Sequence, residues 1–216
     1  YDAPIAIYLP YDYDPDRAEP YKYVILGHGI AGFESNWPSQ GMLGNITDNL
    51  IDQGLVEPMI VIATNNRDSD GVYFYSTVNA DGSRITSIDG EPESNAASSA
   101  NPSYTKQISQ AQPYFMDELI PWLESHLNVS TNPKDRAFAG LSAGAMCTFN
   151  MYISNPEDFG YFYCMSGVND NPAQYDLTRP ELKTPSLTFG VGIYDRLFFS
   201  QVNPTQNALA AEDVSF

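Results

Sequence analysis

Arg136-Ala137-Phe138-Ala139-Gly140-Leu141-Ser142-Ala143-Gly144 is the stretch whose reading decides the fold. Arg136 to Ala139 is a short, largely apolar run and reads as a strand. From Ala143 to Ser154 the chain is apolar nearly all round, which predicts a buried helix stopped before Pro156. Between strand and helix lies a G-x-S-x-G. A serine there sits on a sharp, strained turn, and flanking glycines let strand and helix approach closely. Its hydroxyl would project from the top of the sheet as a nucleophile. The Ala143 N–H, at the helix N-terminus, would face a developing oxyanion. Ser142 is therefore the candidate nucleophile, and a Gly-Ser turn without chemistry is the competing reading.

Upstream, Tyr23 to Leu26 reads as a buried strand running into Gly27-His28-Gly29-Ile30-Ala31-Gly32. In the strand–turn–helix setting of such a serine, the loop after this earlier strand supplies the second oxyanion donor, expected at the Ile30 N–H. His28 is expected to hold this loop by hydrogen bonds rather than to act as base, because the order Ser…Asp…His puts the base after Ser142. Downstream, Gly190-Val191-Gly192-Ile193-Tyr194-Asp195 places Asp195 at the end of a strand predicted over Leu187 to Val191. It is the candidate triad acid, with Asp170 and Asp176 as rivals. The chain has two histidines, His28 and His126. His126 is expected on the solvent face of a helix, and no histidine follows Asp195.

Working outward, short apolar runs alternate with longer amphipathic stretches, the rhythm of an α/β fold with a parallel sheet covered by helices. Further strands are expected at Ile5 to Leu9, Met59 to Ala63 and Phe162 to Met165, and Val214 to Phe216 looks like the start of another. Helices are expected from about Leu43 to Gln53 with Gly54 as C-cap, from about Ile108 to Leu127, and at Gln206 to Ala211. In the second of these, Phe115, Leu119, Trp122, Leu123 and Leu127 share one face, while Pro113 and Pro121 predict a late start or a kink. Asn65 to Tyr104 is a polar insertion, with Asn79 to Ser83 as the turn of a hairpin and a lid as one role for the whole. The sequence reads as a single domain over 1–216, without repeats.

Apolar residues make up 43% of the 216, enough for a sizeable core, and no apolar run approaches the ~20 residues of a membrane span. The net charge of −17, from 10 basic and 27 acidic residues, argues against nucleic acid and anionic membranes as partners. Cys147 and Cys164 offer no zinc spacing; they are either two buried thiols or a disulfide.

Several segments together resemble the family 1 carbohydrate esterases, especially the feruloyl esterase domains attached to bacterial xylanases. They are Ile7-Tyr8-Leu9-Pro10, Gly27 through Trp37, Asn49-Leu50-Ile51, Glu57 through Ile62, Glu118 through Ser125, Arg136 through Gly144, Asn155 through Phe159, and Met165-Ser166-Gly167. Acetyl xylan esterases, S-formylglutathione hydrolases and mycolyltransferases share the wider superfamily. The resemblance implies an α/β-hydrolase fold with a mostly parallel sheet and helices on both faces. It also implies a secreted serine esterase acting on feruloyl or acetyl esters of plant polysaccharide, without cofactor or metal. Asn36 and Trp37 are expected to line the cleft, with core packing the alternative for Trp37. The family has Met and a further Gly around the serine, where this chain has Ala143 and Ala145. Its Gly-His segment is expected on the order of 30 residues past the acid, after one more strand. This sequence runs 21 residues past Asp195, so the histidine, the last strand and a terminal helix are expected outside it. A homologue that binds without catalysing is the alternative from another class.

Overall fold

A computed structural model describes residues 4–65, 77–78, 108–109, 113–168 and 172–216. Six strands form the central sheet: β1 (Ile5–Tyr8), β2 (Lys22–Gly27), β3 (Met59–Thr64), β6 (Arg136–Leu141), β7 (Tyr161–Met165) and β8 (Ser186–Gly190). Their order is β1-β3-β2-β6-β7-β8. β1 runs antiparallel to β3, and every other pair is parallel. A short separate pair joins β4 (Thr77–Val78) to β5 (Ile108–Ser109).

Strand side chains alternate between the two faces of the sheet, and the core divides accordingly. On one face Tyr23, Ile25, Ile60, Ile62, Phe138, Phe162 and Leu187 pack against Phe115, Leu123, Phe149, Tyr152, Val202 and Leu209. Those partners come from α3 (Ile120–His126) and the π-helical turn Pro113–Leu119 before it, from α4 (Ala143–Ser154), and from α5 (Phe199–Ala211). On the other face Leu26, Val61 and Ala139 pack with Trp37 and Leu43, of α1 (Asn36–Ser39) and α2 (Leu43–Asp52). The mostly parallel sheet with helices on both faces is the predicted α/β-hydrolase architecture. β2, β3 and β6 are central and covered on both faces, which is why they read as unbroken apolar runs.

The helix expected from Ile108 starts later: Ile108–Ser109 pairs as a strand, and helical structure begins at Pro113, whose ring tolerates a first turn. Trp122 leaves the core face and is 41% exposed, stacked on the His126 ring at 4.5 Å between centroids. Helix α5 starts at Phe199, earlier than Gln206, and carries Pro204 inside it. Val214 to Phe216 forms no strand; Val214 is buried, and Phe216 packs edge-on against Phe189. Gly54 ends α2 with φ 66°, as the C-cap reading requires. The hairpin turn at residues 79–83 and nearly all of the insertion at 65–104 lie outside the described residues.

Candidate active site

β6 delivers the chain to Ser142, and α4 leaves from it. Ser142 has φ 56° and ψ −114°, a conformation that side chains other than glycine rarely adopt. It is held by its own N–H, which donates to the Met165 carbonyl at the end of β7 (2.8 Å). The flanking glycines are required by space. A β-carbon on Gly140 would lie 2.3 Å from the Gly144 carbonyl carbon, and one on Gly144 would lie 2.6 Å from the Gly27 carbonyl. Strand β6, helix α4 and strand β2 thus meet backbone against backbone at the predicted turn. Ala143 is buried at the first position of α4, where its N–H has no intrahelical acceptor.

The loop after β2 lies directly beside the serine. A β-carbon on Gly29 would sit 3.5 Å from the Ser142 β-carbon. The loop turns with the Gly32 N–H donating to the Gly29 carbonyl (3.1 Å) and with Ala31 at φ 58°. Ile30, at the head of this turn, is 63% exposed, so its side chain leaves the turn while its backbone remains in it. His28 is buried. Its Nδ1 lies 2.6 Å from the Gly29 carbonyl and its Nε2 lies 3.4 Å from the Asn65 side-chain oxygen, which ties the loop to the end of β3. Asn36 accepts from the Phe33 N–H, and its oxygen packs with His28 around Gly32, where a β-carbon would be 2.8 Å from each. The Trp37 indole donates to the Gly27 carbonyl (3.1 Å) and also packs on the smaller core. Both residues, with His28, Gly29, Ile30 and Leu141, line a cavity of about 330 Å³ at the mouth of the elbow. A larger cavity of about 520 Å³ opens at the opposite end of the sheet, among Pro10, Arg17, Tyr21 and Asp52. The strained Ser142 and the N-terminus of α4 lie at the end of the sheet where the smaller one opens.

Asp195 lies in the turn after β8, with Oδ1 accepting from the N–H groups of Leu197 and Phe198 (3.0 Å each). The Phe198 N–H above all, then that of Leu197 and the Ser166 side chain, hold its carboxyl below the usual carboxylate value against partial desolvation. Ser166 follows Met165, the residue that receives the Ser142 N–H, and its own N–H donates to the Gly190 carbonyl at the end of β8 (2.7 Å). The rival Asp176 accepts from the N–H and hydroxyl of Thr178 in a local turn, which accounts for its own lowered pKa. Asp170 lies outside the described residues. His126 is exposed on α3, bonded to Ser125 and the Trp122 carbonyl. Cys147 and Cys164 are free, fully buried thiols, and desolvation pushes both pKa values up. Among the described residues no cluster of His, Cys, Asp and Glu could hold a metal ion.

A family model described as "Putative esterase" matches residues 1–176, and the chain belongs to that esterase family. A curated relative, an endo-1,4-beta-xylanase/feruloyl esterase of Xylanibacter ruminicola, is 29% identical over 95% of this chain. The chain spans about a quarter of that relative's length (24%). A mutant of the feruloyl esterase module from Clostridium thermocellum, complexed with sinapinate, superposes with a TM-score of 0.65 at 20% identity, covering 96% of this chain and 68% of that one. A CE1 ferulic acid esterase from Anaeromyces mucronatus in complex with ferulic acid gives 0.67 at 16% identity, covering 98% and 74%. S-formylglutathione hydrolase from Staphylococcus aureus gives 0.62 at 14%, covering 99% and 82%. The resemblance to family 1 carbohydrate esterases is thereby borne out, and the shared fold is that of the α/β-hydrolases.

Proposed function

We propose that this chain carries the nucleophile, the oxyanion hole and the triad acid of a serine esterase that hydrolyses feruloyl or acetyl esters of plant cell-wall polysaccharide. The observation that carries the reading is the strained Ser142 between β6 and α4, with the loop after β2 packed against it. The Ser142 hydroxyl attacks the ester carbonyl, and its proton passes to a histidine outside these 216 residues. The N–H groups of Ala143 and Ile30 receive the oxyanion. Collapse breaks the ester C–O bond, the departing sugar oxygen takes the proton from the imidazolium and leaves as a hydroxyl, and an acyl-enzyme remains. Water, deprotonated by the same histidine, then releases the acid. Asp195 orients the imidazole and stabilises its cation. The cavity beside Asn36 and Trp37 receives part of the ester. Support for an aromatic acyl group comes from the curated relative and from the two related esterases that bind sinapinate and ferulic acid. A polysaccharide substrate implies work outside the cell.

The test is a fluorophosphonate probe on the full-length protein, followed by turnover of methyl ferulate and of acetylated xylan. Labelling at Ser142, lost in Ser142→Ala, is expected. A full-length protein left unlabelled would overturn the esterase reading and favour a binding homologue.

A further inference from the structure

The larger cavity, about 520 Å³, lies at the end of the sheet away from Ser142, and its size is that of a ligand pocket. The ester chemistry does not use it. Its lining is mixed. Tyr11 lines it and is 93% exposed, so both faces of its ring are open. Tyr21 is buried, with the Arg17 guanidinium 4.7 Å over its ring and the Tyr13 ring at 5.1 Å. The segment that carries Tyr11 and Arg17 is fastened to the body of the protein. The Tyr21 hydroxyl accepts from the Asp14 N–H (2.9 Å), and the Asn128 side chain donates to the Arg17 carbonyl (2.8 Å). A site built this way does not have to be ordered by its ligand.

Polar groups in the lining sort by what they already hold. Asp48 accepts from the Tyr8 hydroxyl (2.6 Å) and Asp14 from the Asp16 N–H (2.9 Å). Among the described residues the Asp12 and Asp52 carboxylates have no hydrogen-bond partner. Arg17 has only Glu19 at 3.8 Å, beyond hydrogen-bond reach. The cavity therefore offers unused acceptors and unused donors together. An ammonium ion only donates and a phosphate chiefly accepts, whereas a hydroxyl does both. Four carboxylates around one arginine also repel an anion. No cluster among the described residues could hold a metal. An exposed tyrosine ring beside such groups suits the apolar face of a sugar, because a tyrosine ring is amphipathic. Helix α2 connects this cavity to the active site. Gln40 and Gly41, just before it, line the smaller cavity, and Asp48, Ile51 and Asp52, at its far end, line the larger. Its ten residues span about 15 Å. A polysaccharide with an ester at Ser142 covers that distance in a few sugar units.

From this lining we infer that the cavity is a second binding site, for an uncharged oligosaccharide stretch of the polysaccharide whose ester is cleaved at Ser142. Tyr11 stacks on a sugar ring, and Asp12, Asp52 and Arg17 take its hydroxyls. The choice of ligand rests on the polysaccharide reading given above, and the test separates the two. Tyr11→Ala and Asp52→Ala, both at exposed positions, are made in the full-length protein. Each is assayed on feruloylated arabinoxylan and on methyl ferulate, which is too short to reach the second cavity. On the polysaccharide, KM is expected to rise about tenfold with kcat unchanged, the loss of one anchor of uniform binding. On methyl ferulate neither constant should change. In the Ser142→Ala background, xylohexaose is titrated calorimetrically, with spermine as the cationic comparison. Xylohexaose should bind, and about tenfold more weakly in the Tyr11→Ala and Asp52→Ala variants. An unchanged KM on the polysaccharide, or an equal loss on methyl ferulate, overturns the second site. So does spermine binding that depends on Asp52 while xylohexaose binding does not. Turnover of neither ester would overturn the esterase reading instead, and the xylohexaose titration then decides the site by itself.

Discussion

Gly144, at the start of helix α4, and Gly27, at the end of strand β2, touch backbone to backbone: a β-carbon on Gly144 would lie 2.6 Å from both the carbon and the oxygen of the Gly27 carbonyl. This contact brings the loop that begins at His28 against the turn at Ser142, the proposed nucleophile. Because the neighbouring atoms are the backbone of Gly27 and His28, at the end of a central strand, nothing there can rotate away. Gly144→Ala should therefore destabilise by more than the ~1–3 kcal/mol of ordinary overpacking. The midpoint of urea unfolding at unchanged slope reads this directly. A midpoint within experimental error of wild type would show that the two elements can separate.

Gly29 presents the opposite case. A methyl there would meet the Ser142 β-carbon at 3.5 Å and the Leu141 carbonyl at 3.7 Å, which is ordinary contact. Gly29→Ala should leave the thermal midpoint unchanged and lower kcat/KM by about tenfold or more, since the methyl takes space beside the nucleophile. Unchanged kcat/KM would place the ester on another side of Ser142.

The strain at Ser142 makes a prediction about stability alone. Glycine normally destabilises relative to alanine through its larger unfolded-state entropy. At φ 56° and ψ −114° the order should invert, with Ser142→Gly more stable than Ser142→Ala by about 1 kcal/mol and both inactive. An alanine variant as stable as the glycine variant would mean the turn is relaxed.

The pKa of Asp195 is lower folded than unfolded, so the folded state binds its proton less readily. Its contribution to stability is present above the ordinary carboxylate value, about 4, and is lost as pH falls from there through the folded value. The stability gap between wild type and Asp195→Asn should accordingly close as pH is lowered from 7 towards 3. A gap that widens in acid would contradict the bonding described for this carboxylate.

Cys147 and Cys164 are fully buried with raised pKa values, so neither presents a thiolate at neutral pH. Both should resist a thiol reagent in the native protein and react only on unfolding. Modification of either at the rate of a free thiol would show that the helix over them opens.

What the sequence determined by itself is local. Ser142 was legible because its motif, the strand before it and the buried helix after it lie within one short stretch, and sterics at a strand–turn–helix junction admit few residue types. The apolar runs of β2, β3 and β6 were legible because burial on both faces leaves no room for alternation. Asp195 was expected at the end of a strand and lies in the turn beyond it, and His28 was legible as a loop residue held by hydrogen bonds. What only the tertiary structure decided is pairwise. The hydrogen bond from the Ser166 N–H to the Gly190 carbonyl, the crossing of Gly144 on Gly27, and the exposure of Trp122 depend on which strands are neighbours. Strand order and packing arise from the sum of many weak contacts between distant segments. No pattern along the chain records the fact that β7 stands between β6, which leads to Ser142, and β8, which leads to Asp195.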